Sequence, residues 1–249
     1  MAIVCIIQAR MGSTRLPGKV LLPLLGITVL EHVYRRVMYS HHISKAVIAT
    51  TVSPRDLSIA KLCGEKGIPL YLGSEDDVLD RYYQAARLYK ADTVVRVTSD
   101  CPLIDPDVLD KVIDAHMHST CAYSSNVAPP TYPDGLDVEV FRFEALERAW
   151  NEATLRSDRE HVTPYIRKNK DIFSSQNITN AADYSSLRWT LDEMDDFNLI
   201  STIYGQLYDS GKIFLMNDVL AFGEANAKLF RMNQKFLRNE GYKKSLAND

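Results

Sequence analysis

Cysteine is scarce in these 249 residues. The four present, Cys5, Cys63, Cys101 and Cys121, lie far apart and form no C-x-x-C pair. That spacing excludes a disulfide framework and the paired thiols of a structural zinc site, and leaves reduced cysteines in a cytoplasmic core as the expectation. Excess charge is also missing. Lys and Arg number 29 against 32 Asp and Glu, for a net charge of −3. A nucleic-acid binder needs a broad basic surface to release counterions, so nucleic acid is not expected as a partner, although a local basic pocket for a small anion remains open. No apolar run is long enough to span a bilayer. The N-terminal MAIVCIIQAR puts Arg10 after its short apolar run, where a secretory signal would put charge before it. Internal repeats and low-complexity linkers are absent too. What remains is an ordinary composition, 46% hydrophobic and 24% charged, which can bury a core and suits one α/β domain.

Strand-like and helix-like segments alternate from the start, the signature of a largely parallel sheet with helices on its faces. Ala2–Gln8, Lys45–Thr51, Ile68–Leu72 and Thr93–Thr98 read as strands. Thr28-x-x-Glu31 is a capping box, Ser53-Pro54 opens a helix, Ser74 caps another, and Asp105 caps one that begins at Pro106. The second half is less regular. Ala122–Asn126 and Leu136–Phe141 read as strands on either side of the Pro-rich loop Val127–Gly135. Ser157-x-x-Glu160 is a second capping box, Leu187–Leu191 a late strand, and a helix follows through Phe197, Ile200, Tyr204 and Leu207. Residues 1–120 make a nucleotide half and 121–216 an acceptor half of one domain, with 217–249 a peripheral helical tail. His116 and His118 fall near a helix end, where a cationic His suits the macrodipole. They show no ligand spacing, nor do His41 and His42.

The most informative stretch is Ile6–Val20, IIQARMGSTRLPGKV, at the carboxyl end of the first strand, where open α/β sheets bind ligands. Arg10, Arg15 and Lys19 are interleaved with Gly12, Ser13, Thr14 and Gly18. Glycines let backbone N–H groups approach an anion, and the cations neutralise it. Five residues separate Gly12 from Gly18 and Val20 follows Lys19, so this is not a P-loop; G-x-G-x-x-G is absent as well. By composition alone, a solvated basic loop remains open. Asp100 closes the fourth strand and Asp192 the late one. Each could be a Mg²⁺ ligand, since Mg²⁺ takes one or two carboxylates with phosphate oxygens and water, or a helix cap.

The string Q-A-R-M-G-S-T-R-L-P-G-K resembles the N-terminal signature of the CMP-sugar synthetases, the cytidylyltransferases that activate acylneuraminate and deoxyoctulosonate sugars, and most of all their spore-coat polysaccharide cytidylyltransferase-like branch. The resemblance continues through Gly73–Tyr82 (GSEDDVLDRY), Val95–Asp105 (VRVTSDCPLID), Asp134–Phe141 (DGLDVEVF), Arg159–Ile166 (REHVTPYI) and Arg188–Asp192 (RWTLD). It implies a three-layer α/β/α nucleotidyltransferase fold, Rossmann-like with a mostly parallel mixed sheet, CTP as donor, Mg²⁺ as cofactor and a homodimer. The nucleotide would then be held by Gln8, Ala9, Arg10, Gly12, Ser13, Arg15, Lys19, Gly73, Ser74, Arg81, Thr98 and Ser99. Arg81 could equally pair with Asp77 one helical turn away. Asp100 and Asp192 become the metal carboxylates, and Arg10, Lys19 and Asp100 the catalytic set.

The implied reaction is attack by an acceptor oxygen on the α-phosphorus of CTP, with release of pyrophosphate. Asp137 and Glu139 share one strand face, where they could hold acceptor hydroxyls or form a solvated face or dimer rim. Arg159, His161 and Arg188 are candidates for touching a small acidic acceptor, with surface roles for Arg159 and His161 as the alternative. The classical sialate and deoxyoctulosonate acceptor motifs have no residue-by-residue match here. A glycosyltransferase consuming a nucleotide-sugar, or a non-catalytic nucleotide-binding module, stands as the alternative function. The sequence Ser99-Asp100-Cys101-Pro102 offers no D-x-D for the former.

Overall fold

The unbroken apolar run Ile3–Gln8 forms β1, buried on both faces as a central parallel strand must be. Its side chains alternate between two cores. Cys5 and Ile7 join one cluster, and Val4 and Ile6 join the other. The computed structural model describes residues 1–238, 240–246 and 249. After β1 come a small hairpin, β2 (Pro23–Leu24) and β3 (Ile27–Thr28), then α1 (Val29–Val37), β4 (Lys45–Thr51), α2 (Leu57–Lys66), β5 (Leu70–Gly73), α3 (Val78–Leu88), β6 (Thr93–Thr98) and α4 (Pro106–Met117). The second half gives β7 (Tyr123–Ser125), β8 (Glu139–Arg142), α5 (Phe143–Glu152), α6 (Arg156–His161), α7 (Pro164–Lys168), β9 (Ser175–Asn177), α8 (Met194–Leu207), α9 (Met216–Ala225) and α10 (Glu240–Leu246).

Seven strands form one sheet in the order β5-β4-β1-β6-β8-β7-β9. β5, β4, β1 and β6 run parallel, β8 is antiparallel to β6 and to β7, and β9 returns parallel to β7. Helices α1, α2, α4 and α8 bury their apolar stripes on one face, with Val33, Ile59, Leu109 and Ile200 in that core. α3, α5 and α7 cover the other through Tyr82, Leu146 and Ile166. The result is the expected three-layer α/β/α, mostly parallel mixed sheet. Among the described residues no helix is long and apolar enough to cross a membrane.

Several local expectations need correction. Leu187–Leu191 is not a strand. It makes a single parallel bridge, Arg188 with Asp134, and runs across the strand ends instead. Leu191 N donates to Asp100 O at 2.7 Å and Trp189 N to Asp134 O at 2.6 Å. That close passage requires Gly135, whose φ is +111° and where a Cβ would stand 2.6 Å from the Trp189 carbonyl carbon. Ser74 does not cap α3; Asp77 does, accepting from Asp80 N. Ser157 caps nothing, because its side chain is buried and the helix starts after Leu155. His116 does not serve a helix dipole as a cation. It is buried, with Nδ1 2.8 Å from Ser124 Oγ, and burial pushes its pKa down to about 4. Nor is the tail simply peripheral, since α10 packs on α6 beside the strand ends.

Candidate active site

Gln8 and Thr98 lie side by side in register, so β1 and β6 end together. Two adjoining cavities, about 370 and 270 Å³, open beyond them. The loop after β1 walls the first. Its path is fixed by a residue that no motif marked, Asp56. This buried carboxylate accepts from Met11 N at 2.7 Å and also binds the Thr51 hydroxyl. Met11 O in turn takes the N–H groups of Ser13 and Gly18, and Gly18 sits at φ +71°, the left-handed region that glycine enters freely. Gln8, Ala9, Arg10, Gly12, Ser13, Arg15 and Lys19 all line this cavity, as do Arg81, Thr98, Ser99, Asp100 and Asp192.

Gly73 and Ser74 do not line it; they act one step back, on Arg81. A Cβ at Gly73 would lie 3.1 Å from Arg81 Cγ, and Ser74 O accepts from Arg81 NH1 at 2.7 Å. Arg81 is buried. Burial first, and the nearby Arg10 charge, lower its pKa. Its i−4 neighbour Asp77 pairs with Arg159 instead. Two buried polar atoms in this wall, Gln8 Oε1 and Arg81 Nε, have no hydrogen-bond partner among the described residues, a state that folded proteins rarely leave uncompensated.

At the junction of the cavities Lys19 Nζ donates to Asp100 Oδ2 and to Asp192 Oδ1, each at 2.7 Å. Burial alone would lower the Lys19 pKa, but the two carboxylates outweigh it and raise it. Burial likewise works against the Asp100 carboxylate, and Lys19 overcomes it, holding the pKa down at about 2. The carboxylates come from different segments, tied together where Leu191 N and Thr190 Oγ1 reach the Asp100 carbonyl. They are the residues that could hold a divalent cation. Two carboxylates are too few for a closed cage, and no further His, Cys, Asp or Glu joins them among the described residues. Such a pair does match Mg²⁺, which fills its remaining positions with phosphate oxygens and water.

The acceptor-side candidates part company. Arg159 lines neither cavity. Its guanidinium is spent on Asp77 at 2.7 Å and on the carbonyls of Trp150 and Ala153. Glu139 lines the second cavity but is a structural hub, bound by Arg96 and by the hydroxyls of Tyr123 and Thr163 at 2.6 Å. Burial raises its pKa, and Arg96, then the nearby Arg167 charge and the two hydroxyls, more than reverse that. Arg188 is buried on Asp196, at 2.9 and 3.0 Å, and Asp196 also accepts from Asp192 N. Arg188 therefore positions Asp192. His161 faces both cavities with its pKa pushed down to about 4 by burial, so it enters as a neutral ring, with Nε2 2.9 Å from Ser245 Oγ. Asp137 faces the second cavity against Arg238, and burial lifts its pKa to about 7 despite that arginine.

Arg167 was not foreseen. It lines the second cavity, its side chain makes no hydrogen bond or ion pair among the described residues, and its Nε is buried and unpaired. The only signal in the sequence was its place one residue beyond the REHVTPYI motif. Arg238, Glu240 and Tyr242 also reach this cavity or its acids, from a tail whose sequence carries no motif.

Comparison with known proteins agrees with this geometry. Over residues 4–209 the chain matches the family model described as cytidylyltransferase. It is 34% identical over 214 residues to the spore coat polysaccharide biosynthesis protein SpsF of Bacillus subtilis, covering 81% of this chain and 86% of that protein. Over 116 residues it is 39% identical to the 3-deoxy-manno-octulosonate cytidylyltransferase of Trichlorobacter lovleyi, covering 46% and 44% of the two chains. The solved structure of a cytidylyltransferase from Leptospira borgpetersenii superposes with a TM-score of 0.89 at 31% identity, covering 96% of this chain and all of the other. With a loop of glycines and cations, two carboxylates brought together beyond the strand ends and this match, the chain belongs to the cytidylyltransferase family of nucleotidyltransferases.

Proposed function

We propose that the protein transfers CMP from CTP to a small acidic acceptor with Mg²⁺, releasing pyrophosphate, and that the product feeds a surface polysaccharide. The observation that carries this reading is the Lys19–Asp100–Asp192 cluster at the junction of two cavities, each of which has an arginine whose side chain is unpaired among the described residues. Arg10 makes no ion pair or hydrogen bond among the described residues and faces the first cavity. Arg167 faces the second. The likeness to the Bacillus protein supports the polysaccharide role.

In the first cavity the loop amides, Arg10 and Arg15 bind the triphosphate, and Lys19 offsets charge growing on the departing pyrophosphate. The unpaired Gln8 Oε1 and Arg81 Nε offer one acceptor and one donor to the nucleoside. In the second, Arg167 takes the acceptor's acid group. The acceptor oxygen bonds to the α-phosphorus as the bond to the bridging α,β oxygen breaks and pyrophosphate leaves, and a hydroxyl acceptor passes its proton to solvent. Asp100 and Asp192 would hold Mg²⁺, which when bound withdraws charge from the phosphates and lowers the barrier to displacement. Arg188 and Asp196 keep Asp192 aimed at that point.

The test is pyrophosphate release from CTP, UTP, ATP and GTP across a panel of acidic sugars, with and without chelator. Release from CTP with at least one acid, abolished by chelator, is expected. Turnover of a nucleotide-sugar without release from any triphosphate would overturn the reading.

A further inference from the structure

Asp56 stands at the N-cap position of α2, where an aspartate ordinarily accepts from the first turn of its own helix. Its side chain makes no such bond. The carboxylate is 2% exposed, with no cation partner among the described residues. A buried acid without a cation is costly, and this one leaves its helix uncapped as well. One oxygen accepts from the Thr51 hydroxyl at the end of β4. The other accepts from Met11 N at 2.7 Å, across 45 residues of chain. Asp56, Thr51 and Met11 line neither cavity.

What that bond controls lies beside it. Met11 N belongs to the Arg10–Met11 peptide. On the other side of Arg10, Ala9 N donates to Ala49 O of β4 at 3.1 Å. The backbone of Arg10 is therefore held at both ends, by β4 and by the turn that follows it. The Arg10 side chain lines the first cavity and has no hydrogen-bond or ion-pair partner among the described residues, so its backbone sets the direction in which it leaves the loop. The Met11 carbonyl then accepts from Ser13 N at 2.9 Å and Gly18 N at 3.1 Å, which carries the same constraint into the amides that follow. We propose that Asp56 is a positioning residue of the nucleotide site. From outside the cavity it fixes the Arg10–Met11 peptide and so aims Arg10 and the loop amides at the triphosphate. This rests on the reading above, which puts a triphosphate at the loop. Hydrogen bonds to a carboxylate are the strong kind, and a site whose donors are fixed before the ligand arrives binds it better.

Charge alone predicts the opposite of positioning, because deleting a carboxylate behind a polyphosphate site should tighten the anion. Calorimetry of CTP with Mg²⁺ on the full chain separates the two. Asp56→Ala is expected to bind CTP about tenfold more weakly. Asp56→Asn, neutral but still able to accept from Met11 N, is expected to stay within about threefold of the wild type. On an Arg10→Ala background the same Asp56→Ala step is expected to cost only about threefold, since the share that acts through Arg10 is already gone. If Asp56→Ala does not fold, Thr51→Val, which removes the hydroxyl that steadies the carboxylate, takes its place in the cycle. Equal losses on both backgrounds overturn the proposal. So does an Asp56→Asn as weak as Asp56→Ala, and so does an Asp56→Ala that binds CTP as tightly as the wild type or more so. A wild type that binds no CTP overturns the reading that puts a triphosphate at the loop, and the positioning with it.

Discussion

Replacing Lys19 with methionine keeps the length of the side chain and removes its charge from between Asp100 and Asp192. The structure sets the size of the effect. Against burial, Lys19 first and Thr98 with it hold the Asp100 pKa at about 2 rather than its ordinary 3.8, a net charge-state preference of about 2 kcal/mol. The Asp100 side chain is 24% and the Asp192 side chain 18% exposed, so solvent screens the loss only in part. For a chain of this length, about 2 kcal/mol lowers Tm by about 4 °C. Two consequences separate a cation-binding junction from an ordinary internal ion pair. Thermal unfolding of Lys19→Met should respond more strongly than the wild type to millimolar Mg²⁺ without nucleotide, because the carboxylates have lost their internal counter-ion. Pyrophosphate release should fall by about 10²–10³-fold, the usual effect of deleting a donor aimed at developing charge. A purified Lys19→Met with wild-type turnover and an unchanged Tm would refute the assignment of this cluster.

Arg10→Ala removes a side chain with no hydrogen-bond or ion-pair partner among the described residues, so unfolding free energy should stay within about 0.5 kcal/mol while CTP affinity measured by calorimetry falls about tenfold or more; unchanged affinity would take Arg10 out of the phosphate site. Arg188→Leu strands the fully buried Asp196 carboxylate and should cost about 3–5 kcal/mol, read as a collapse in Tm. Arg167→Leu should keep its Tm and raise the KM for an acidic acceptor about tenfold, and the two variants exchanging these phenotypes would contradict the partner assignments. His116 has a native pKa of about 4 against an ordinary 6.5, so the unfolded chain takes up its proton first as pH falls. Its contribution is fully present above pH 6.5 and is lost between 6.5 and 4, about 3 kcal/mol in all. Denaturation curves of His116→Gln should lose about 3 kcal/mol less over that window, with His161, whose pKa is held equally low, still contributing, and equal acid losses in variant and wild type would show that His116 is not responsible.

Chemistry encoded locally was legible. The order of glycine and cation in Gln8–Lys19, the apolar strands ahead of Ser99-Asp100, and the cap at Asp105 are properties of neighbouring residues, and the structure shows a loop, a strand end and a cap there. What could not be read is partnership at long range. The run Leu187–Leu191 looks like a strand because its apolar residues alternate, yet it ends up crossing the strand ends, since Gly135 leaves room for its backbone. Arg159, Arg188 and Arg167 are indistinguishable as letters. Arg159 and Arg188 are taken by Asp77 and Asp196, at sequence separations of 82 and 8, and the Arg167 side chain has no hydrogen-bond or ion-pair partner among the described residues. A guanidinium already matched to a buried carboxylate cannot turn to a substrate without stranding that acid, whereas one left unpaired against a cavity wall gains from any anion that arrives. Arg10 and Arg167, whose side chains have no hydrogen-bond or ion-pair partner among the described residues, flank the Lys19 junction, one in each cavity. Two anionic substrates meeting at a shared reaction centre need that arrangement, because each must be neutralised before the oxygen of one can approach the phosphorus of the other.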